Sequence, residues 1–148
     1  MTAIRVKGCP LCDEAGGRLV FDAAKFRVIH ANEEGFPAFY RVVWNDHVAE
    51  WSDLSTADRA LCMEAVATVE QCLRDALAPA KINLAALGNM VPHLHWHVIA
   101  RFDWDNRFPS PVWAPAQSER DRRREAAIEA LLPAMEHDMA QRLAKRSF

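Results

Sequence analysis

The sequence contains no uninterrupted apolar stretch approaching the roughly 20 residues of a membrane helix, which excludes a helical span as a reading. It has no surplus of charge. With 18 basic and 20 acidic side chains the formal net charge is -2, which offers nucleic acid no general attraction. No apolar segment follows Met1-Thr2-Ala3-Ile4-Arg5-Val6-Lys7, so export is not expected and a cytoplasmic location is. Internal repeats and low-complexity tracts are also missing, which excludes a solenoid. What remains is 148 residues, 51% hydrophobic and 26% charged, the profile of a globular protein with one core. Nothing suggests an oxidising compartment for the four cysteines. Cys62 and Cys72 fall within a helical pattern and are expected to be small buried hydrophobes. Cys9-Pro10-Leu11-Cys12 forms a single CxxC, which is a weak signal alone.

Turn residues Glu14-Ala15-Gly16-Gly17 precede two short β-like runs, Arg18–Asp22 and Phe26–His30. A third run, Ala38–Trp44, is rich in aromatic and β-branched residues and reads as a strand. Ser55 is a good helix N-cap with an acid three residues later. From there Cys62, Val66, Val69, Leu73 and Leu77 recur at helical spacing, until Pro79 ends the helix. Ile82–Leu87 reads as another strand and Gly88-Asn89-Met90-Val91-Pro92 as a tight loop. Asp103–Gln117, with its prolines and tryptophans, is expected to be ordered but irregular. A charged helix should begin at Ser118, with Pro133 kinking it or opening a second one that ends near Lys145. The charge run on that helix reads as a solvated face. These elements predict an α+β domain with a mainly antiparallel five-stranded sheet, one long helix and a C-terminal helical extension. The main unit spans 1–117 and the extension 118–148.

His93-Leu94-His95-Trp96-His97 holds three of the six histidines and runs into Val98-Ile99-Ala100. The two-residue period is that of a strand, which predicts His93, His95 and His97 on one face and Leu94, Trp96 and Val98 in the core. Imidazoles titrate near neutrality and serve as base, nucleophile or metal ligand. The row therefore suits either a metal site, with the histidines converging on zinc or iron, or covalent catalysis by one neutral imidazole assisted by its neighbours.

The string HLHWHVI resembles the signature of the histidine triad (HIT) family of nucleotide hydrolases and transferases. The likeness extends from the CxxC through Arg101, taking in the upstream Asn83 and the glycine-containing loop before the triad. The longer string KINLAALGNMVPHLHWHVIARF, with Phe108-Pro109 and Pro111-Val112-Trp113, is similar to a bacterial subgroup described as diadenosine-tetraphosphate-hydrolase-like. The resemblance implies a covalent nucleotidyl-histidine mechanism. His95 would attack the α-phosphorus of a purine nucleotide derivative, a phosphoramidate or a dinucleoside polyphosphate. His97 would donate to the phosphate oxygens, and His93 would support the site or bind metal. Asn83 would sit beside the phosphate, or else satisfy backbone groups at a strand edge. Gly88 and Asn89 would lend the loop that cradles it, though Asn89 also suits a turn needing an unusual backbone conformation.

In zinc-containing relatives the CxxC binds metal with a histidine after the third strand and the first triad histidine. This implies a structural zinc on Cys9, Cys12, His47 and His93. A redox role for the pair is not expected, nor is an organic cofactor. A homodimer is implied, without membrane or nucleic-acid partners. Phe21, Ile29 and Val43 are of the right kind to line a nucleoside slot, or are core. Trp104 and Trp113 would line the pocket, meet a second subunit or pack in the core, and His30 and His137 are expected at the surface. Two competing readings stay open: a nucleotide-binding regulatory or scaffold protein with little turnover, and a metal-dependent hydrolase with the three histidines as ligands.

Overall fold

The computed structural model describes residues 4–146, so Met1, Thr2 and Ala3 of the stretch read for an export signal lie outside it. A four-residue helix, α1 (Pro10–Asp13), precedes strands β1 (Arg18–Asp22), β2 (Phe26–His30) and β3 (Phe39–Trp44). The long helix α2 (Thr56–Leu77) follows, then β4 (Lys81–Ala85) and β5 (His95–Arg101), and finally α3 (Arg122–Glu129) and α4 (Leu132–Ala144). The strands form one antiparallel sheet in the order β1-β2-β3-β5-β4. The expected α+β class with a five-stranded sheet is what the chain adopts.

Ser55 caps α2 as expected, its side chain accepting from the Asp58 amide at 3.1 Å. At the other end Ala78 turns into the left-handed region at φ 46°, ahead of Pro79. The predicted stripe Cys62, Val66, Val69, Leu73 and Leu77 is buried against one face of the sheet, with Val28, Tyr40, Val42, Val98 and Ala100. Burial pushes the Cys62 thiol up to about 12 and also raises Cys72, as befits two cysteines that act as hydrophobes. Met135, Met139 and Leu143 of α4 join the same core, so the C-terminal helix completes the helical layer.

Some boundaries differ from the sequence reading. The fourth strand ends at Ala85 rather than Leu87. The charged helix starts at Arg122, not Ser118, because the Asp121 side chain accepts from the Arg124 amide at 3.0 Å and so caps it there. Of the two expectations for Pro133, the second holds: it opens a separate helix, where a missing N–H does no harm. Among the described residues no helix is long and apolar enough to cross a membrane.

The opposite face of the sheet carries the chemistry. Register places His95 against Val43, His97 against Arg41 and Ala85, and Ile99 against Phe39 and Asn83. α1 covers one end of this face, burying Leu11 with Ile29 and Val43. Phe36, Ile99 and Val112 close the other end.

Candidate active site

The histidine strand starts two residues later than its alternation predicts. β5 begins at His95, and His93 lies in the preceding loop, fully buried. The backbone shows why. His93 N–H bonds the Val91 carbonyl in a tight turn, while the Leu94 carbonyl accepts from Trp44, the last residue of β3, and the Leu94 N–H donates to the Val48 carbonyl beyond it. The three histidines therefore do not share one face as equals. His95 and His97 remain neighbours, with ring centroids 5.0 Å apart and planes at 86°. Leu94 and Val98 are buried as expected, whereas Trp96 is half-buried and meets Trp51 edge-on at 5.3 Å.

His95 Nδ1 lies 2.6 Å from the His93 carbonyl oxygen. A carbonyl only accepts, so Nδ1 carries the proton and Nε2 keeps its lone pair. Burial lowers the proton affinity of His95, the His93 carbonyl raises it, and Arg41 lowers it further; the net direction is down. His97 is arranged in the opposite sense. Its Nδ1 accepts from Arg41 Nε at 3.2 Å, so the neutral ring carries its hydrogen on Nε2. Burial foremost, then His95 and Arg41, hold His97 down to about 4. One imidazole thus offers a base and its neighbour an N–H donor, both uncharged at neutral pH.

Both rings line a cavity of about 760 Å³ together with Leu11 of α1, Arg41 and the loop residues Gly88, Asn89 and Met90. That volume suits a small-molecule ligand. Gly88 sits at φ 72°, which a side chain would strain. Asn89 has no such conformation, since Ala78 is the only non-glycine with positive φ among the described residues. Trp113, 62% exposed, stands on the same cavity, while Trp104 stacks on Phe102 against the core at 4.9 Å. A larger concavity, about 860 Å³, lies between the β2–β3 loop and α3–α4, but it is lined by neither His95 nor His97.

Asn83 shares the face of His97 and Ile99, yet it does not line the cavity. Its side-chain oxygen accepts from Arg101 at 3.0 Å. Arg101 also forms a two-pronged ion pair with Asp105 at 2.6 and 3.1 Å and donates to the Ser110 carbonyl at 2.8 Å. This buried guanidinium anchors the irregular segment that carries Trp113. Of the candidate nucleoside-slot residues, Ile29 and Val43 are fully buried beneath α1, and Phe21 packs against the α2-side core. His30 is not at the surface either. It is half-buried, with Nε2 2.8 Å from the Pro37 carbonyl and its ring edge-on to Tyr40. His137 is exposed.

Cys9, Cys12, His47 and His93 converge, with one ligand atom from each lying within 4.8 Å of all the others. Cys9 Sγ and Cys12 Sγ are each 3.4 Å from His93 Nδ1, and Cys12 Sγ is 3.4 Å from His47 Nδ1. Sulfur and nitrogen on one tetrahedral zinc would stand about 3.6 Å apart, so the set fits. A further detail supports the fit. His93 Nε2 is 2.6 Å from the Trp44 carbonyl, which assigns the proton to Nε2 and turns the Nδ1 lone pair toward the two sulfurs. The Val6 amide also donates to Cys12 Sγ at 3.4 Å. Arg27 ties α1 down by donating to the carbonyls of Leu11, Glu14 and Ala15.

Sequence reasoning did not single out Arg27, Arg41, Arg101 or Asp105. The three arginines contact residues distant in sequence, and strand register sets Arg41 against His97.

The sequence matches the HIT domain family over residues 13–104, and the chain belongs to that family. Membership points in general terms to nucleotide binding and to hydrolase or transferase activity. Among solved structures, a histidine triad protein from Bradyrhizobium japonicum is 26% identical, with a TM-score of 0.69 over 90% of this chain and 98% of its own. A histidine triad protein from Marinobacter aquaeolei is 25% identical, with a TM-score of 0.66 over 85% of this chain and 93% of its own. A histidine triad family protein from Mycobacterium smegmatis, described as zinc-bound, shares the fold at 18% identity, with a TM-score of 0.62 over 90% of this chain and 96% of its own. No curated protein matches the sequence.

Proposed function

We propose that the chain is a nucleotide hydrolase or transferase of the diadenosine-tetraphosphate-hydrolase-like subgroup. It acts at the α-phosphorus of a purine nucleoside 5′-phosphate derivative, a phosphoramidate or a dinucleoside polyphosphate. One observation carries the reading: the His93 carbonyl holds the proton of His95 on Nδ1, leaving an Nε2 lone pair on a cavity of nucleotide size. In the first step Nε2 attacks phosphorus and a P–N bond forms. The bond from phosphorus to the leaving nitrogen or oxygen breaks, and the leaving group keeps the electron pair and takes a proton from solvent. Water or another acceptor then displaces His95, restoring its lone pair and releasing the nucleotide.

His97 Nε2–H donates to the phosphate oxygens as charge builds, a contribution of about 3 kcal/mol for one preorganised donor. Gly88 and Asn89 supply the loop beside the phosphate, while Asn83, held by Arg101 outside the cavity, supports the strand that carries His97.

A zinc ion on Cys9, Cys12, His47 and His93 would occupy a closed site and supply structure rather than a reacting group. These four residues would fix the N-terminal segment to the sheet and hold still the residue whose carbonyl orients His95. The edge strand β4, with Leu84 44% exposed, supports a homodimer formed along that side. A cytoplasmic location is part of this reading.

The test is turnover of adenosine phosphoramidates and dinucleoside polyphosphates by wild type and His95→Asn. Loss of turnover with AMP binding retained supports the covalent enzyme. A wild type that binds AMP and turns over nothing in the panel favours a binding protein.

A further inference from the structure

Arg41 is the only permanently charged cation among the described residues that line the cavity. It leaves β3 directly across from His97 and is braced on two sides. One terminal nitrogen meets the Glu33 carboxylate at 3.3 Å. The guanidinium carbon lies 5.3 Å from the centre of the Phe39 ring, which itself stands edge-on to His97 at 5.4 Å. The remaining contact is the one to His97 Nδ1, at 3.2 Å.

A guanidinium has only donors to offer. An Arg41 N–H aimed at Nδ1 is satisfied only by a lone pair there, which forces the hydrogen of a neutral His97 onto Nε2. A doubly protonated ring would set donor against donor and cation against cation. The tautomer of the third triad ring is therefore decided from the neighbouring strand rather than from the histidine strand itself.

We propose that Arg41, braced by Glu33, is a positioning residue that holds neutral His97 with its only proton on Nε2. The consequence for turnover rests on the reading of His97 as phosphate donor. The tautomer does not, and can be observed without substrate.

The experiment uses the full chain with ¹⁵N-labelled histidine. Long-range proton–nitrogen spectra of the wild type are expected to show His97 protonated on Nε2, with Nδ1 shifted as a hydrogen-bond acceptor. Arg41→Met is expected to lose that Nδ1 shift. On any substrate of the panel it should lower kcat by about tenfold or more while moving KM less than about threefold, the pattern of a misaligned donor. In a His97→Gln background the same substitution should change kcat less than about twofold, because both act through one group. Arg41→Lys keeps the charge without the Nε–H and is expected to show the same loss of the Nδ1 signature, which covers the case of a poorly folded Arg41→Met. A wild-type His97 protonated on Nδ1, or an Nδ1 signal unchanged in both variants, overturns the proposal. So does an equal kcat loss from Arg41→Met with and without His97. A wild type that turns over nothing counts against the proposed function alone, since the spectra still decide the tautomer.

Discussion

His93 serves His95 with its backbone and the cysteine pair with its side chain. Its carbonyl accepts the His95 Nδ1–H at 2.6 Å, while its own Nδ1 lies 3.4 Å from the sulfurs of Cys9 and Cys12. The first triad histidine thereby leaves β5 and becomes the joint between the Cys9–Cys12–His47 cluster and His95.

Damage to the cluster should consequently reach the chemistry. Cys12→Ser is expected to abolish stoichiometric zinc in the purified protein, measured by elemental mass spectrometry, and to lower kcat by roughly 10–100-fold, as disturbing the support of a metal site commonly does. AMP affinity should change less, because Cys12 does not line the cavity. A zinc-free wild type with full activity would remove this link.

The buried ion pair Arg101–Asp105 predicts a stability effect. Both side chains are almost fully enclosed, at 1% and 2% exposure. Asp105→Ala strands a buried guanidinium, a loss of about 3–5 kcal/mol. At about 2–4 °C per kcal/mol for a chain of this size, the melting temperature should fall by roughly 6–20 °C in a thermal scan. Because the pair anchors the segment bearing Trp113, KM should rise as well.

The histidine strand was legible from its alternation, and so were the Ser55 cap, the stripe along α2 and the strand limits of β1 and β2. Local chemistry determines each of these. The position of His93 was not legible, because its departure from β5 depends on Leu94 bonding both Trp44 at the end of β3 and Val48 beyond it, contacts between distant segments. Arg41 and Arg101 were hidden for a related reason. A charged residue within an apolar strand pattern reads as solvent-facing, and only the register of β3, β4 and β5 reveals that Arg41 meets His97 and Arg101 meets Asn83. The cysteine pair was visible, but its partners His47 and His93 came from likeness to relatives. The structure brings all four together.

His97 also makes the protein sensitive to acid. The unfolded chain protonates this ring near the ordinary 6.5, the folded chain only near about 4. Between these values the unfolded state binds more protons, so stability falls as pH drops. The contribution of His97 is complete above about 6.5 and is lost progressively toward 4. Thermal scans between those values should show a shallower decline in His97→Gln than in wild type. Parallel curves would refute the assignment.

Trp113 forms an exposed wall of the cavity, near Met90, which is 93% exposed. Trp113→Ala should weaken binding of a substrate with an aromatic leaving group by about tenfold, equivalent to about 1.4 kcal/mol of lost contact. AMP, which lacks that group, should bind almost unchanged. Titration calorimetry with both ligands makes the comparison.

Covalent catalysis at this site requires that His95 Nε2 become bonded to phosphorus. Rapid mixing with an adenosine phosphoramidate, an alkaline quench that preserves the P–N bond, and peptide mass spectrometry would test it directly. A transient adenylyl group is expected on His95 in the wild type and none in His95→Asn, which still binds AMP. An adduct on another residue, or undiminished turnover by His95→Asn, would contradict it.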